Sequence, residues 1–243
     1  MTPLAAVFER HLPRAVVEAA VEGRFASVDT DDRAAPRVAR LSLGCYAFVG
    51  GDSEHPKARE LVSTVVPPRE IVYGNDPAWR RLVLDVHGAK VTDRPMTIFD
   101  SSRLDRDALA RFACPAGYQV RRMDADDARQ LDAGLEPHAL QVFEGPEHFA
   151  TEGLGYGIVA SDGTLACAAT SYTVSTRHLE VAIATRAAHQ GLGLAAVASA
   201  ALMHASLEAG LAPGWSASNP VSKRLAVRLG YVPAGECEVL FLA

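Results

Sequence analysis

A glycine-containing turn between a strand pattern and an alanine-rich helix pattern constrains the fold of this chain most strongly. Leu179–Thr185 alternates as a strand, and a helix of small residues is expected over Leu194–Ala209. Gly191 and Gly193 lie between them and allow a tight turn whose N–H groups face one ligand. The unpaired N–H groups and partial positive charge of a helix start attract anions. The segment therefore predicts a phosphate-binding loop at the edge of a sheet.

Strand and helix patterns alternate along the whole chain, which predicts α/β (α+β) layers. The N-terminal half has helix patterns at Pro13–Gly23 and Asp76–Val86 and a strand pattern at Arg40–Val49. Pro115 and Gly117 interrupt the alternation near Cys114. We therefore expect a smaller α/β N-terminal domain over 1–113 and a second domain over 114–243.

The second half contains a strong hairpin signal, Asp162-Gly163, between the strand patterns 156–160 and 165–174. A segment rich in glycine and histidine over 145–157 is expected to be partly irregular. After the glycine turn come a strand at Trp215–Ser218, a helix at Pro220–Leu229 and a final strand at Glu238–Leu242. This order predicts a mixed sheet that splits near Thr185 and Trp215.

Composition excludes several classes of function. The 243 residues have a net charge of −5, which argues against a nucleic-acid partner. The most apolar stretch, Leu192–Met203, is too short to span a bilayer, and charges at Glu9 and Arg10 interrupt any signal peptide. The four cysteines form no C-x-x-C pair and the histidines no i, i+4 pair, so we expect no disulfide and no metal. We expect a cytoplasmic protein without a membrane partner.

Two kinds of phosphate loop fit the glycine turn. Gly191-x-Gly193-x-x-Ala196 fits the dinucleotide fingerprint, which requires an acidic residue at the end of the next strand. The next expected strand, Trp215–Ser218, contains no acidic residue, which disfavours a nicotinamide cofactor.

The second fit includes more of the chain. Gln190-x-x-Gly193-x-Ala195 matches the pattern Q/R-x-x-G-x-G/A. The run from Trp215 through Asn219 and Ser222 to Tyr231 resembles W-x-x-x-N-x-x-S-x-x-L-A-x-x-L-G-Y/F. Both patterns resemble the GNAT superfamily of N-acetyltransferases, in particular the GNAT acetyltransferase family that includes zwittermicin-resistance-type enzymes. The resemblance is close over Glu180–Tyr231 and looser from Tyr118 to the end, and it implies a GNAT fold with a central mixed sheet in 114–243.

The resemblance implies acetyl-CoA as cosubstrate. Ile183, Ala184 and Thr185 would pair with the pantetheine arm, and a backbone N–H near Ala184 would bind the oxyanion. Asn219 would cap the following helix and also contact the pantetheine arm; the alternative is that it only caps the helix. Ser222 would lie beside the cofactor. The residues whose backbone would hold the pyrophosphate are Gln190, Gly191, Leu192, Gly193, Leu194 and Ala195.

Catalysis by such a fold needs a base for the acceptor amine. Glu180 is the candidate, since it lies in an otherwise apolar strand that would raise its pKa; the alternative is an exposed or structurally paired carboxylate. Ala226 stands where many of these enzymes have a tyrosine acid, so the general acid is Ser222, a water, or neither. Phe143, Glu144 and His148 are candidates for the acceptor pocket. His189, Lys223 and Arg224 could contact phosphate or simply be solvated.

We therefore expect an acetyl-CoA-dependent N-acetyltransferase that acts on a small-molecule primary amine by direct transfer in a ternary complex. The N-terminal domain is expected to cover the acceptor side, in a monomer or homodimer. Two alternatives stay open: a non-catalytic acyl-CoA-binding or sensory module, and an acetyltransferase for protein lysines or N-termini. The sequence fixes neither the acceptor nor the acyl chain length.

Overall fold

The computed structural model describes residues 2–136 and 138–243. Its α-helices are α1 (Pro3–Val7), α2 (Arg14–Val21), α3 (Ala58–Ser63), α4 (Pro77–His87), α5 (Arg106–Leu109), α6 (Ala125–Gly134), α7 (Pro146–Glu152), α8 (Leu194–Glu208) and α9 (Pro220–Leu229). Its strands are β1 (Ser27–Thr30), β2 (Val38–Leu43), β3 (Tyr46–Gly51), β4 (Arg69–Val72), β5 (Val91–Asp93), β6 (Met96–Asp100), β7 (Tyr118–Arg122), β8 (Gly155–Ala160), β9 (Leu165–Val174), β10 (His178–Thr185), β11 (Ala212–Ala217), β12 (Val232–Cys237) and β13 (Val239–Leu242).

The strands form two mixed sheets that exchange one strand with each other. The first sheet has the order β1-β2-β3-β4-β13-β5, and the second has the order β12-β6-β11-β10-β9-β8-β7. Strand β6, from the N-terminal half, thus lies between β12 and β11 of the second sheet. Strand β13, at the end of the chain, lies between β4 and β5 of the first sheet. Each sheet is complete only with a strand from the other half.

The two sheets repeat one topology. In the first, β3 and β4 are parallel and joined through α3, β13 is antiparallel to β4, and β5 forms the edge. In the second, β10 and β11 are parallel and joined through α8, β6 is antiparallel to β11, and β12 forms the edge. The chain is therefore built from two units of the same design, each lending a strand to the other.

The parallel pair of the second sheet separates part-way along its length. Strand β10 pairs with β11 only from His178 to Glu180, which face Ala212 to Gly214. Beyond Glu180, β10 continues against β9 as far as Thr185, while β11 continues against β6. The two strands diverge into a fork after Glu180 and Gly214, so the separation begins at Trp215 as predicted but several residues before Thr185.

Local sequence explains the helices beside the fork. In α9, the Asn219 side chain accepts a hydrogen bond from the Ser222 N–H, Pro220 occupies the first turn, and Gly230 ends the helix at φ +105°. Helix α8 is apolar on nearly all sides because it packs between the sheet and other helices. An apolar cluster with members from both halves, including Phe48, Leu131 and Tyr172, joins the two units.

Several sequence expectations need correction. Arg40–Val49 is not one strand: the chain reverses at Gly44, whose φ is +51°, and β2 and β3 form a hairpin. The segment 145–157 is regular over most of its length, because Pro146 opens α7 and β8 begins at Gly155, and only Gly145, Gly153 and Leu154 lie outside a helix or strand. The boundary between 1–113 and 114–243 stays a prediction, although β6 and β13 each cross it to join the opposite sheet. Within residues 2–136 and 138–243, none of the helices combines the length and the apolar character that crossing a membrane requires.

Candidate functional site

A cleft of about 720 Å³ opens where β10 and β11 diverge. Its walls come from the separated strands, the glycine loop and the starts of α8 and α9. The residues that line it are Val181, Ile183, Thr185, His189, Gln190, Gly191, Gly193, Leu194, Ala195, Ala196, Trp215, Ser216, Asn219, Val221, Ser222, Arg224, Leu225 and Arg228. Its size and its mixture of apolar and polar walls are typical of a ligand site.

The glycine loop closes one end of the cleft. Gly191 and Gly193 have φ values of +80° and +79°, which favour glycine, and Gly193 is the N-cap residue of α8. Among the residues that the structure describes, no side chain caps this helix, so the first N–H groups of α8 stay available to a ligand. The Gln190 side chain donates to the Thr185 carbonyl at 3.2 Å and so holds the loop against β10. This geometry suits an anion.

The edge of β10 that faces the cleft is also free of strand pairing. Over Val181–Thr185, β10 pairs with β9 on one side, whereas its pairing with β11 ends at Glu180. Apart from the Thr185 carbonyl that Gln190 occupies, backbone donors and acceptors on this edge are placed to bind an extended ligand.

Helix α9 forms the opposite wall and adds positive charge. The Ser222 hydroxyl accepts a hydrogen bond from Trp215 Nε1 at 3.1 Å, and Asn219 caps the helix start. Arg224 and Arg228, one helical turn apart, both line the cleft. With the α8 N-terminus, they give the cleft an electropositive rim that fits a phosphorylated ligand.

Glu180 lies at the base of the fork and is only 3% exposed. Ser216, on the cleft wall, donates its hydroxyl to Glu180 Oε1 at 2.7 Å. Burial raises the pKa of Glu180 to about 7, and the hydrogen bonds from Ser216 oppose that rise. A carboxyl group with a pKa near neutrality is suited to accept and release protons at physiological pH.

Most of the residues predicted to bind the cofactor line the cleft, but not all. The Ala184 side chain packs toward the core between the two units, and Leu192, 48% exposed, lines a smaller neighbouring pocket. Phe143, Glu144 and His148 form a local cluster near Phe25, in which the Glu144 N–H donates to His148 Nδ1. These three residues are not part of the cleft lining, and their acceptor role stays a prediction.

Two further expectations concern the loop histidine and the missing tyrosine. His189 is not merely solvated, since its Nδ1 lies 2.8 Å from the Tyr118 hydroxyl. Ala226 is fully buried and brings no hydroxyl to the cleft. Tyr231 does not replace the absent tyrosine, because its buried hydroxyl donates to the Pro213 carbonyl and burial raises its pKa far above the usual range.

Sequence reasoning missed Ser216 and Arg228. Ser216 belongs to a strand whose fork geometry depends on pairing with the distant β6, so nothing local marked it. Arg228 could have been found from its position one turn after Arg224 on the helix that begins at the capping Asn219.

Comparison with known proteins agrees with this geometry. The sequence profile of the GNAT acetyltransferase family matches residues 5–240, nearly the whole chain. The chain belongs to the GNAT acetyltransferase family. The match includes the N-terminal unit, so this family comprises both of the interlocked sheets.

Solved structures share this fold. A GCN5-related N-acetyltransferase-like protein from Streptococcus suis 89/1591 superposes with a TM-score of 0.85 at 24% identity, over 96% of this chain and 94% of that one. A GCN5-related N-acetyltransferase from Kribbella flavida superposes with a TM-score of 0.62 at 18% identity, over 94% of this chain and 93% of that one. A tandem GNAT protein from the clavulanic acid biosynthesis pathway superposes with a TM-score of 0.62 at 17% identity, over 94% of this chain and 86% of that one. A search of curated proteins found no match.

Members of the GNAT family typically use acetyl-CoA. The cleft residues fit such a ligand on structural grounds: a phosphate-sized loop with free N–H groups, an unpaired strand edge, and two arginines. The corresponding fork of the first unit, where β3 pairs with β4 only from Tyr46 to Phe48, has different side chains. There the register of β3 against β4 places Phe48 where β10 has Glu180, and His11 Nε2 donates to the carbonyl of the next residue, Val49.

Proposed function

We propose that this protein is an acetyl-CoA-dependent N-acetyltransferase that acts on a small-molecule primary amine by direct transfer in a ternary complex. The observation that supports this best is the position of Glu180: a buried carboxylate at the base of the fork, joined by hydrogen bond to Ser216 of the cleft wall. The pKa of about 7 lets this group act as a base at neutral pH.

In this proposal the cleft holds acetyl-CoA. The N–H groups from Gly191 to Ala195 bind its pyrophosphate, whereas the Gln190 N–H donates to the Ala187 carbonyl, and Arg224 and Arg228 contact its phosphates. The free edge over Ile183–Thr185 pairs with the pantetheine arm, Asn219 and Ser222 border it, and a backbone N–H near Ala184 stabilises the oxyanion.

The chemistry then follows from the position of Glu180. The acceptor amine loses a proton to this carboxylate, its nitrogen bonds to the thioester carbonyl carbon, and the carbon–sulfur bond breaks. CoA leaves as a thiolate, which is a good leaving group because its pKa is near that of an ordinary thiol. The absence of a tyrosine at Ala226 is thus compatible with turnover, with Ser222 or a water as the proton source for the thiolate.

Calorimetric titration with acetyl-CoA tests the cleft assignment. Wild type should bind with micromolar affinity, and Gly193→Glu, which places a carboxylate at the α8 N-terminus, should abolish binding. Gly163→Glu is the matched control, since Gly163 has a similar φ of +84° in a hairpin turn away from the cleft. Failure of wild type to bind acetyl-CoA would overturn the proposal.

Thiol release from acetyl-CoA in the presence of an amine library tests the catalytic half. Glu180→Gln should bind acetyl-CoA normally and lose activity by about 10²- to 10⁴-fold. If acetyl-CoA binds but no amine or peptide is acetylated, the chain is instead an acyl-CoA-binding module. If only peptides react, the acceptor is a protein.

A further inference from the structure

A second cavity, of about 310 Å³, also reaches Glu180. Its lining includes the start of α2 at Pro13–Ala15, the end of β6 and the turn after it, and Gly214 of β11. Val181, Ile183 and Thr185 line the cleft, whereas Glu180 lines this cavity and touches the cleft only through Ser216. Trp215 lines both spaces, so Glu180 lies at the boundary where they adjoin, and the N-terminal half builds much of the second one.

The cavity exists because a glycine, Gly214, stands in the middle strand of the three neighbouring strands β10, β11 and β6. Glu180 of β10 pairs with Gly214 of β11, and the register of Trp215 with Phe99 brings Asp100 of β6 opposite Gly214 at the next step. A Cβ on Gly214 would lie 2.7 Å from Glu180 Oε2. The missing side chain thus leaves space beside a carboxylate, with a second carboxylate two strands away. At normal strand spacing, the Cα atoms of Glu180 and Asp100 are about 10 Å apart.

The basic side chains that line this cavity are held by one carboxylate that does not line it, Glu18, which also pairs with Arg177. Four charged or titratable side chains line it: Arg14, Asp100, His178 and Glu180. Glu18 engages both basic ones, with Oε1 3.2 Å from Arg14 Nε and Oε2 2.6 Å from His178 Nδ1.

Asp100, in contrast, receives its hydrogen bonds from neutral groups, with the Arg103 charge as a weaker neighbouring influence. Its carboxylate accepts one hydrogen bond from the Ser102 N–H at 2.8 Å and another from the Ser102 hydroxyl at 2.6 Å. These bonds lower its pKa, so the carboxylate stays charged at neutral pH. Ile98, two residues before Asp100 on the same face of β6, supplies an apolar wall together with Ala15 and Ala212.

We propose that this cavity is the acceptor pocket and that it selects a compact diamine: one amino group reacts at Glu180 while the second, still protonated, is held by Asp100. The proposal rests on the proposed acetyltransferase function and adds the substrate class. Two carboxylates separated by an apolar wall match two ammonium groups joined by a hydrocarbon spacer. The small volume lies at the low end of ligand pockets and favours a small molecule over a protein segment.

Matched acceptors of equal chain length test the proposal. With saturating acetyl-CoA, kcat/KM for 1,4-diaminobutane should exceed that for 1-butylamine and for 4-aminobutan-1-ol by about two- to fivefold, the effect expected of one partly exposed ion pair. Asp100→Asn should reduce this ratio to about one through a higher KM for the diamine, and Asp100→Glu should restore part of it. Asp93→Asn is the control, because Asp93 pairs with Arg80 on the other sheet and should leave the ratio intact.

The outcomes separate this proposal from the one it rests on. Equal kcat/KM for the diamine and monoamine in wild type, or the same ratio in Asp100→Asn, would overturn the diamine assignment while leaving the acetyltransferase function intact. A preference for 4-aminobutanoate would overturn it too and assign the pocket to Arg14. If no amine is acetylated, titration of wild type and Asp100→Asn with 1,4-diaminobutane still decides whether Asp100 binds it.

Discussion

In the proposed mechanism the chemistry depends on Glu180, and the pKa of this residue sets the pH dependence of the reaction. The carboxyl group has a pKa of about 7 and must be ionised to accept a proton. We expect kcat/KM to rise with pH through a midpoint near 7, as measured at subsaturating amine. Glu180→Gln should lack this rise in its residual activity. A pH profile in the variant that keeps the same midpoint would assign the ionisation to another group.

Ser216 tunes that midpoint. Its hydroxyl donates to Glu180 and favours the ionised form, against the effect of burial. Ser216→Ala removes this donor, so the midpoint of the pH profile should move to higher pH while maximal activity at alkaline pH is largely kept. Ser218→Ala, two residues further along, is the control and should leave the midpoint in place. A midpoint that falls or stays constant in Ser216→Ala would contradict the assigned hydrogen bond.

The same pKa has a consequence for stability. Folding raises the pKa of Glu180 from 4.5 to about 7, so the folded state binds the proton more tightly than the unfolded chain does. The ionised Glu180 carboxylate therefore destabilises the folded protein. This destabilisation is absent below pH 4.5, grows between pH 4.5 and pH 7, and is complete above pH 7. Relative to wild type, Glu180→Gln should therefore gain about 3 kcal/mol in unfolding free energy between pH 4 and pH 8. Urea unfolding of both proteins at the two pH values measures the difference.

At the scale of elements, the glycine loop can be tested apart from the fold. Gly193 has φ +79° with nothing near the position of a Cβ, so Gly193→Ala suffers backbone strain without a clash. We expect a loss of about 1 kcal/mol in stability and weaker acetyl-CoA binding, because the strained loop turns its N–H groups away. Gly163→Ala, with φ +84° and equally open surroundings, should lose similar stability and keep its affinity. Equal affinity in both variants would remove the loop from the binding site.

Local signals predicted the elements that local chemistry determines. The Asp162-Gly163 hairpin, the Asn219 cap and the glycine turn before α8 each depend on residues close together in the chain. The hairpin between β2 and β3 was missed because Gly44 and Cys45 interrupt one apolar run without a polar turn residue.

What could not be predicted depends on pairs that are distant in sequence. Met96–Asp100 has no local feature that would place it between β11 and β12, more than a hundred residues later. The same exchange brings Asp100 toward Glu180, so the second cavity was invisible in the sequence. The cleft at the fork could be predicted because the segment from Val181 to Arg228 supplies its lining, whereas the second cavity could not.

At the scale of the whole molecule, the exchanged strands tie the two units into one folding unit. Removing residues 1–113 would take β6 out of the second sheet and expose the inner edges of β11 and β12. A fragment of 114–243 should therefore be unfolded or aggregated, and acceptor specificity cannot be assigned by testing it alone. Circular dichroism of the fragment, with and without a separately added 1–113 fragment, would reveal whether the missing strand restores its structure.

The two tryptophans provide the sharpest test of this coupling, because one lies in each unit. Trp79 is buried beside the first sheet and donates to the Gly51 carbonyl, whereas Trp215 lies in β11 of the second. In Trp215→Phe the remaining tryptophan is Trp79, so its fluorescence reports unfolding of the first unit. In Trp79→Phe the remaining tryptophan is Trp215, so its fluorescence reports unfolding of the second unit. In each variant, the fluorescence midpoint in urea should coincide with the midpoint of far-ultraviolet circular dichroism, which follows both sheets. Separate midpoints within one variant would mean that the units unfold independently despite the exchanged strands.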